Sequence, residues 1–211
     1  MATGLRERKK AQTRELLAET ARRLFSERGF ERVSVAEIAR EADVSEKTVF
    51  NYFPTKEDLV YWRLESFEEE LLGTIRSRAE GESVLDAFGR FVRMPRGMLA
   101  SYDEEARERL AALSRMIASS PALLAREQQI FAGYTDSLAA LIAAETGGSG
   151  VEAWVVANAL MGVHRSLVDY ARGRIVAGDR SPRLARDVRA EADRALARVR
   201  AGFSDYGVKG A

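Results

Sequence analysis

The chain contains no cysteine, and only one histidine, His164, among its 211 residues. The first absence excludes disulfides, thiolate metal sites and cysteine nucleophiles, and it accords with the cytoplasm, the location expected here. The second leaves any Ser-His-Asp triad a single candidate base. No G-x-S-x-G elbow, phosphate loop, dinucleotide fingerprint or H-E-x-x-H motif accompanies it, so no enzyme activity, cofactor or metal is expected. Long apolar runs are also missing. The longest, Ala153 to Val163, falls far short of the roughly 20 residues a spanning helix needs, and His164 and Arg165 follow it at once, so it reads as a buried helix. The first residues hold no apolar core of a signal peptide. Neither sign of charge dominates: 33 basic against 32 acidic side chains leave +1, so any nucleic-acid affinity must come from local placement. No strand-like alternation occurs. The 46% hydrophobic and 31% charged residues suit a soluble globular chain of one or two domains with an ample core, and with helix patterns throughout and no strand pattern the expected class is all-α.

What is present is concentrated between Ser34 and Lys56, S-V-A-E-I-A-R-E-A-D-V-S-E-K-T-V-F-N-Y-F-P-T-K. Ser34 suits an N-cap, and Glu37, three residues on, suits a capping box. Val35, Ile38, Ala39 and Ala42 then form one apolar stripe at helical spacing. After a turn at Asp43 and Val44, Ser45 caps a second helix that must stop near Phe53, because Pro54 disfavours helical geometry before it. On a helical wheel Val49 and Phe53 point inward. Lys47 and Asn51 are thrown outward, with Thr48 and Phe50 on the flanks.

Small residues at Ala39 and Ala42 and a short turn are what a helix-turn-helix requires, and its second helix enters a major groove. Lysine donates to guanine O6 and N7, asparagine pairs with an adenine edge, an aromatic touches a thymine methyl, and a carboxylate such as Glu46 accepts from cytosine N4. Lys47, Asn51, Phe50 and Glu46 are the candidates for those tasks. Ser34, Ser45, Thr48, Tyr52 and Lys56 complete the set, with Ser45, Thr48 and Tyr52 assigned to phosphates and Lys56 to an anion site at the start of the next helix. Arg6, Arg8, Lys9 and Lys10 form a basic arm that either follows phosphates or is simply a solvated helix start.

These residues resemble the DNA-binding signature of the TetR family of transcriptional regulators. The likeness runs through the I-A-x-x-A core, the V-S-x-x-T turn, the aromatic-x-Tyr-Phe end and the trailing Lys56, from about Arg6 to Leu72. It departs at Asp43, where the family often has Gly, and at Phe50, where it often has Tyr. Asp tolerates the left-handed conformation a turn demands; losing the phenol removes a donor from the groove face. The resemblance implies residues 1–55 as a three-helix DNA-binding domain and 56–211 as a C-terminal helical bundle for effector binding and dimerisation.

Further helix starts are legible. The first helix, from about Leu5, ends at Gly29. Thr55 with Asp58 opens a fourth that runs toward Gly81, and Ser83, Asp103, Ser120 before Pro121, and Ser181 before Pro182 open later ones. Nine helices are expected, or ten if Pro95 and Gly97 split the fifth. The last two, about Val151 to Val176 and Ser181 to Gly202, carry apolar stripes: Leu184, Val188, Ala192, Ala195, Leu196 and Val199 on one, and the small Ala157, Ala159 and Gly162 on the other. Those stripes face either their own core or, as the resemblance implies, a partner in a homodimer. Phe67, Phe88, Phe91, Met94, Met98, Met116, Phe131, Tyr134, Trp154 and Met161 are enough to line a cavity for a small apolar effector, with His164 orienting its polar end, lying in a dimer seam or sitting in the core. Around M-P-R-G-M-L-A and I-A-S-S-P-A-L-L-A-R-E the chain also resembles actinobacterial TetR-type regulators found with mycofactocin biosynthesis genes, which implies long-chain acyl-CoA as an effector. The expected function is thus a repressor that binds a palindromic DNA operator as a dimer. The alternatives are an activator, or a helical interaction protein.

Overall fold

The computed structural model describes residues 2–62, 64–94, 103–147 and 149–202. Ten helices are present among them, and no strand: α1 (Ala2–Arg28), α2 (Val35–Glu41), α3 (Glu46–Tyr52), α4 (Asp58–Tyr61), α5 (Leu64–Arg76), α6 (Val84–Val92), α7 (Glu104–Ser119), α8 (Pro121–Thr146), α9 (Gly150–Val176) and α10 (Leu184–Ala201). They sort into two compact units, one of residues 1–65 and 116–127, the other of 66–115 and 128–211.

The first unit is built around α1. Leu17, Ala18, Ala21, Leu24 and Phe25 bury one side of that helix, which closes at Gly29 with φ +84°. The turn that follows is wedged by Phe30 and Val33, at 4% and 1% exposure, and Phe30 lies 5.1 Å from Phe25 between ring centres. Ile38 and Ala39 of α2 and Val49 of α3 complete the core, and the carboxylates of α2 are tied back to α1 by Arg23–Glu41 at 2.6 Å and Arg28–Glu37 at 3.1 Å. Between α2 and α3, Asp43 takes φ +55°, the left-handed turn expected of it.

The helix expected from Thr55 toward Gly81 is two helices, α4 and α5, so the tenth helix arises here. Its opening turn is tight, since Leu59 and Val60 bond to the carbonyls three residues back, at Lys56 and Glu57, and the α-helix starts only at Asp58. Thr55 and Asp58 still form the reciprocal cap: the Thr55 amide and hydroxyl donate to Asp58 Oδ2, and the Asp58 amide donates to Thr55 Oγ1. Pro95 and Gly97 lie outside the described residues.

In the second unit α10 packs on α9 and α6. Leu184, Ala192 and Leu196 of the α10 stripe are buried within this chain, and Val188 packs with Ala111, Ile175 and Leu184. Gly89 of α6 permits the approach, because a Cβ there would sit 3.3 Å from Leu196 Cδ1. Polar ties join the same helices: Arg93 to Asp193 at 2.6 Å, and Arg200 to Asp86. The start of α10 is delayed to Leu184 by a turn in which Leu184 bonds the Ser181 carbonyl and Arg183 bonds the Ser181 hydroxyl. Helix α9 buries Ala153, Ala157, Leu160, Met161, Val163 and Leu167 but leaves Val151, Trp154, Val155, Val156 and Val176 exposed.

Candidate nucleic-acid interface

Two buried side chains orient α3. Val49 and Phe53 are each 1% exposed, and Arg14 of α1 lies over the Phe53 ring at 5.2 Å. The opposite side of the helix presents Lys47 and Asn51 to solvent; Glu46 is exposed in the first turn, Phe50 is 46% exposed on one flank, and Thr48 and Tyr52 are half-buried. Nearly half of the Phe50 surface is thus open to solvent on the same short helix as an exposed cation and an exposed amide.

The hydroxyls are placed by caps. Ser45 Oγ accepts from the Thr48 amide and lies 2.9 Å from Thr48 Oγ1, so one hydrogen of that hydroxyl pair is left for an outside acceptor. Ser34 is more committed. Its amide and hydroxyl both donate to Glu37 Oε2, and its oxygen accepts from the Glu37 amide. These two donated bonds, with the neighbouring Arg28 and Arg40, hold the Glu37 carboxyl below its ordinary range, the Ser34 amide contributing most.

Lys56 turns inward. Its Nζ donates to the Phe30 carbonyl at 2.6 Å and stands 4.1 Å from the Phe30 ring centre and 5.8 Å from that of Phe25. Burial lowers its pKa, an effect opposed by the negative charges of Glu31, Glu57 and Glu37. The arm residues Arg6, Arg8, Lys9 and Lys10 are exposed along the first turns of α1. Arg40, exposed in the last turn of α2, is a further cation of this unit that sequence reasoning did not single out, since one arginine on a short helix carries no pattern.

The effector candidates divide. Phe67 is the hub of a ring cluster, 4.5 Å from His164 and 5.6 Å from Tyr134 in stacked arrangements and 5.1 Å from Phe91 edge-on. Phe131 joins edge-on to His164 at 5.3 Å. Phe67 and His164 are half-buried, and Phe88 and Met161 are buried in the same unit. Met94 and Trp154 are exposed, at 55% and 52%; Met116 is half-buried and groups with the first unit; Met98 lies outside the described residues. Among the described residues no cluster of His, Asp or Glu could hold a metal ion, and no helix is long and apolar enough to cross a membrane.

Residues 17–61, the span holding α2, α3 and their buried anchors, match the model of the bacterial regulatory proteins of the tetR family. The chain belongs to that family. Relatives agree along more of its length. The HTH-type transcriptional regulator TcmR of Streptomyces glaucescens is 30% identical over 68% of this chain, which spans 65% of that protein's length. A protein named as a mycofactocin biosynthesis transcriptional regulator, MftR of Mycobacterium tuberculosis, is 27% identical over 77% of this chain and 81% of its own. Among solved structures, NalD, the secondary repressor of the MexAB-OprM multidrug efflux pump in Pseudomonas aeruginosa, shares the fold with a TM-score of 0.57 at 18% identity, covering 89% of this chain and 96% of that one. In this TetR-family chain the α2–α3 pair is the helix-turn-helix, and α3 is its second helix.

Proposed function

We propose that this TetR-family protein is a transcriptional repressor that grips a palindromic operator as a homodimer and is released by a small apolar effector. The observation that carries the reading is the two-sided character of α3: Val49 and Phe53 are buried, while Lys47 and Asn51 stand in solvent on the opposite face with Phe50 exposed on its flank. That face matches the chemistry of base edges, with a cation for guanine, an amide for adenine and an apolar ring for a thymine methyl. Phosphate contacts come from Ser45, Thr48, Tyr52 and the basic arm, with Lys56 held close to the same segment.

Dimerisation is supported by the exposed side of α9. Val151, Trp154, Val155 and Val176 share it with Gly162 and Gly173, a combination of apolar bulk and small residues that a partner helix can approach closely. Two-fold symmetry then sets two α3 helices about 34 Å apart, or a multiple of that, on one face of a duplex. The ring cluster around Phe67 and His164 supports an apolar effector, for which a long-chain acyl-CoA is the candidate carried by the likeness to MftR-type regulators. Such a molecule releases DNA only if it binds the two states of the dimer with different affinity.

Selection of genomic fragments by the purified protein tests the whole reading. The expected result is a palindromic consensus whose halves are one helical turn or more apart. Recovery of fragments no different from the input pool would sink it.

A further inference from the structure

The helix-turn-helix unit contains chain from much later in the sequence: residues 116–127, the end of α7 and the first turns of α8. Three polar contacts hold this segment there. Ser120, 2% exposed and next to Pro121, donates its hydroxyl to Glu31 Oε1 at 2.6 Å. Tyr61 of α4 donates its buried hydroxyl to the carbonyl of Leu123 at 2.9 Å. Arg126 Nε donates to Asp58 Oδ1 at 2.8 Å, where only 14% of the Asp58 side chain is exposed.

Asp58 is shared between two tasks. Its Oδ2 accepts the Thr55 amide and hydroxyl in the cap described above, and Thr55 follows α3 with only Phe53 and Pro54 between. Lys56, the next residue, reaches the Phe30 carbonyl, and Phe30 adjoins Glu31, which is bound by Ser120. The contacts therefore close a ring: α8, Glu31, Phe30, Lys56, Thr55, Asp58 and back to α8. Hydrogen bonds make four of its links and chain adjacency the other two, so it admits few alternative positions, and a largely shielded carboxylate that loses its cation must find a new arrangement.

We infer that Arg126 is a positioning residue for DNA recognition: from the start of α8 it holds Asp58, and through the Thr55 cap it sets where the chain leaves α3, without itself touching DNA. This rests on the DNA-binding reading above. Misplacing α3 spoils contacts to base edges, whereas attraction to phosphates tolerates small shifts.

The test uses the full chain, the duplex that the wild-type protein selects, a random duplex and a salt series. Arg126→Ala is expected to weaken the selected duplex about tenfold, as for the loss of one coupled pair. The random duplex should be bound as before, and the slope of log K against log salt should not change, because no phosphate contact is removed. Arg126→Lys should recover part of the loss. Asp58→Asn, which keeps the side-chain volume and can still accept from Thr55, should show the same fall in selectivity and supplies the answer if Arg126→Ala does not fold. Equal losses on both duplexes would mean that Arg126 merely supports the fold, a slope reduced by about one would mean that it contacts phosphate itself, and undiminished binding would mean that it does nothing; each overturns the inference. A wild-type protein that selects no duplex overturns this inference and the regulator reading together, whereas selection that survives in Arg126→Ala overturns the inference alone.

Discussion

Lys47 and Lys56 are separated by nine positions and carry the same charge, yet their surroundings give them different work. Lys47 stands in water on the outer face of α3, with no ring or carbonyl holding its ammonium among the described contacts. Its truncation to Ala should cost about 1 to 3 kcal/mol on a cognate site and relax preference at one base pair. A binding-site logo measured for the variant checks this; an unchanged logo removes Lys47 from base readout. Lys56 gives one of its three donors to Phe30 and leans on two rings, so Lys56→Ala should do two things. It should lower the melting temperature, and it should weaken all duplexes alike while flattening the salt dependence by roughly one unit of slope. A melting shift with the slope intact would assign Lys56 to the turn at Phe30 alone. The inward orientation of this lysine was not legible in the sequence, where a cation at the start of a helix reads as an anion site. It comes from the carbonyl and ring of Phe30, a residue 26 positions away that the fold brings within 2.6 Å.

At the scale of single elements, local chemistry was readable. The Ser34–Glu37 box, the Ser45 cap, the left-handed Asp43 and the buried pair Val49 and Phe53 depend on residues within four positions of each other, and periodicity and capping rules reach that far. Ser34→Ala should cost about 1 kcal/mol of stability, measured by thermal or denaturant unfolding. Its partner adds a pH dependence. Because the folded state holds the Glu37 carboxyl below its unfolded value, folding favours the carboxylate. The resulting stability is complete above the unfolded pKa and is lost as pH falls through the folded one. Unfolding curves across the acid range should therefore decline less steeply for Glu37→Gln than for the unchanged chain, and parallel curves would show that the box carries no net charge effect. Less legible was where a helix truly begins. The turns after Thr55 and Ser181 start with bonds to the carbonyl three residues back, so α4 and α10 open later than their caps suggest.

For the molecule as a whole, the exposed side of α9 makes a prediction about assembly. Val155 is 57% exposed and has no part in the buried side of its own helix, so Val155→Asp should leave the fold intact. Sedimentation should show monomer in place of dimer, and affinity for a paired site should fall toward that for one half-site. A variant that stays dimeric would place the partner contact elsewhere. The companion stripe on α10 illustrates what pattern alone leaves undecided: Leu184, Ala192 and Leu196 have the right spacing for either use, and the structure buries them within the chain, against α9 and α6.

By itself the sequence determined the all-α class, the helix-turn-helix with its inward and outward faces, and most helix starts, because each depends on hydrophobic period, caps and turn residues a few positions apart. Only the tertiary structure decided that Lys56 folds onto Phe30, that Phe67 and His164 stack at 4.5 Å, and that Arg126 and Ser120 belong with Asp58 and Glu31 in the DNA-binding unit. Those pairs join residues 26 to 97 positions apart in the chain, a choice made by the packing of the whole core rather than by any neighbouring residue.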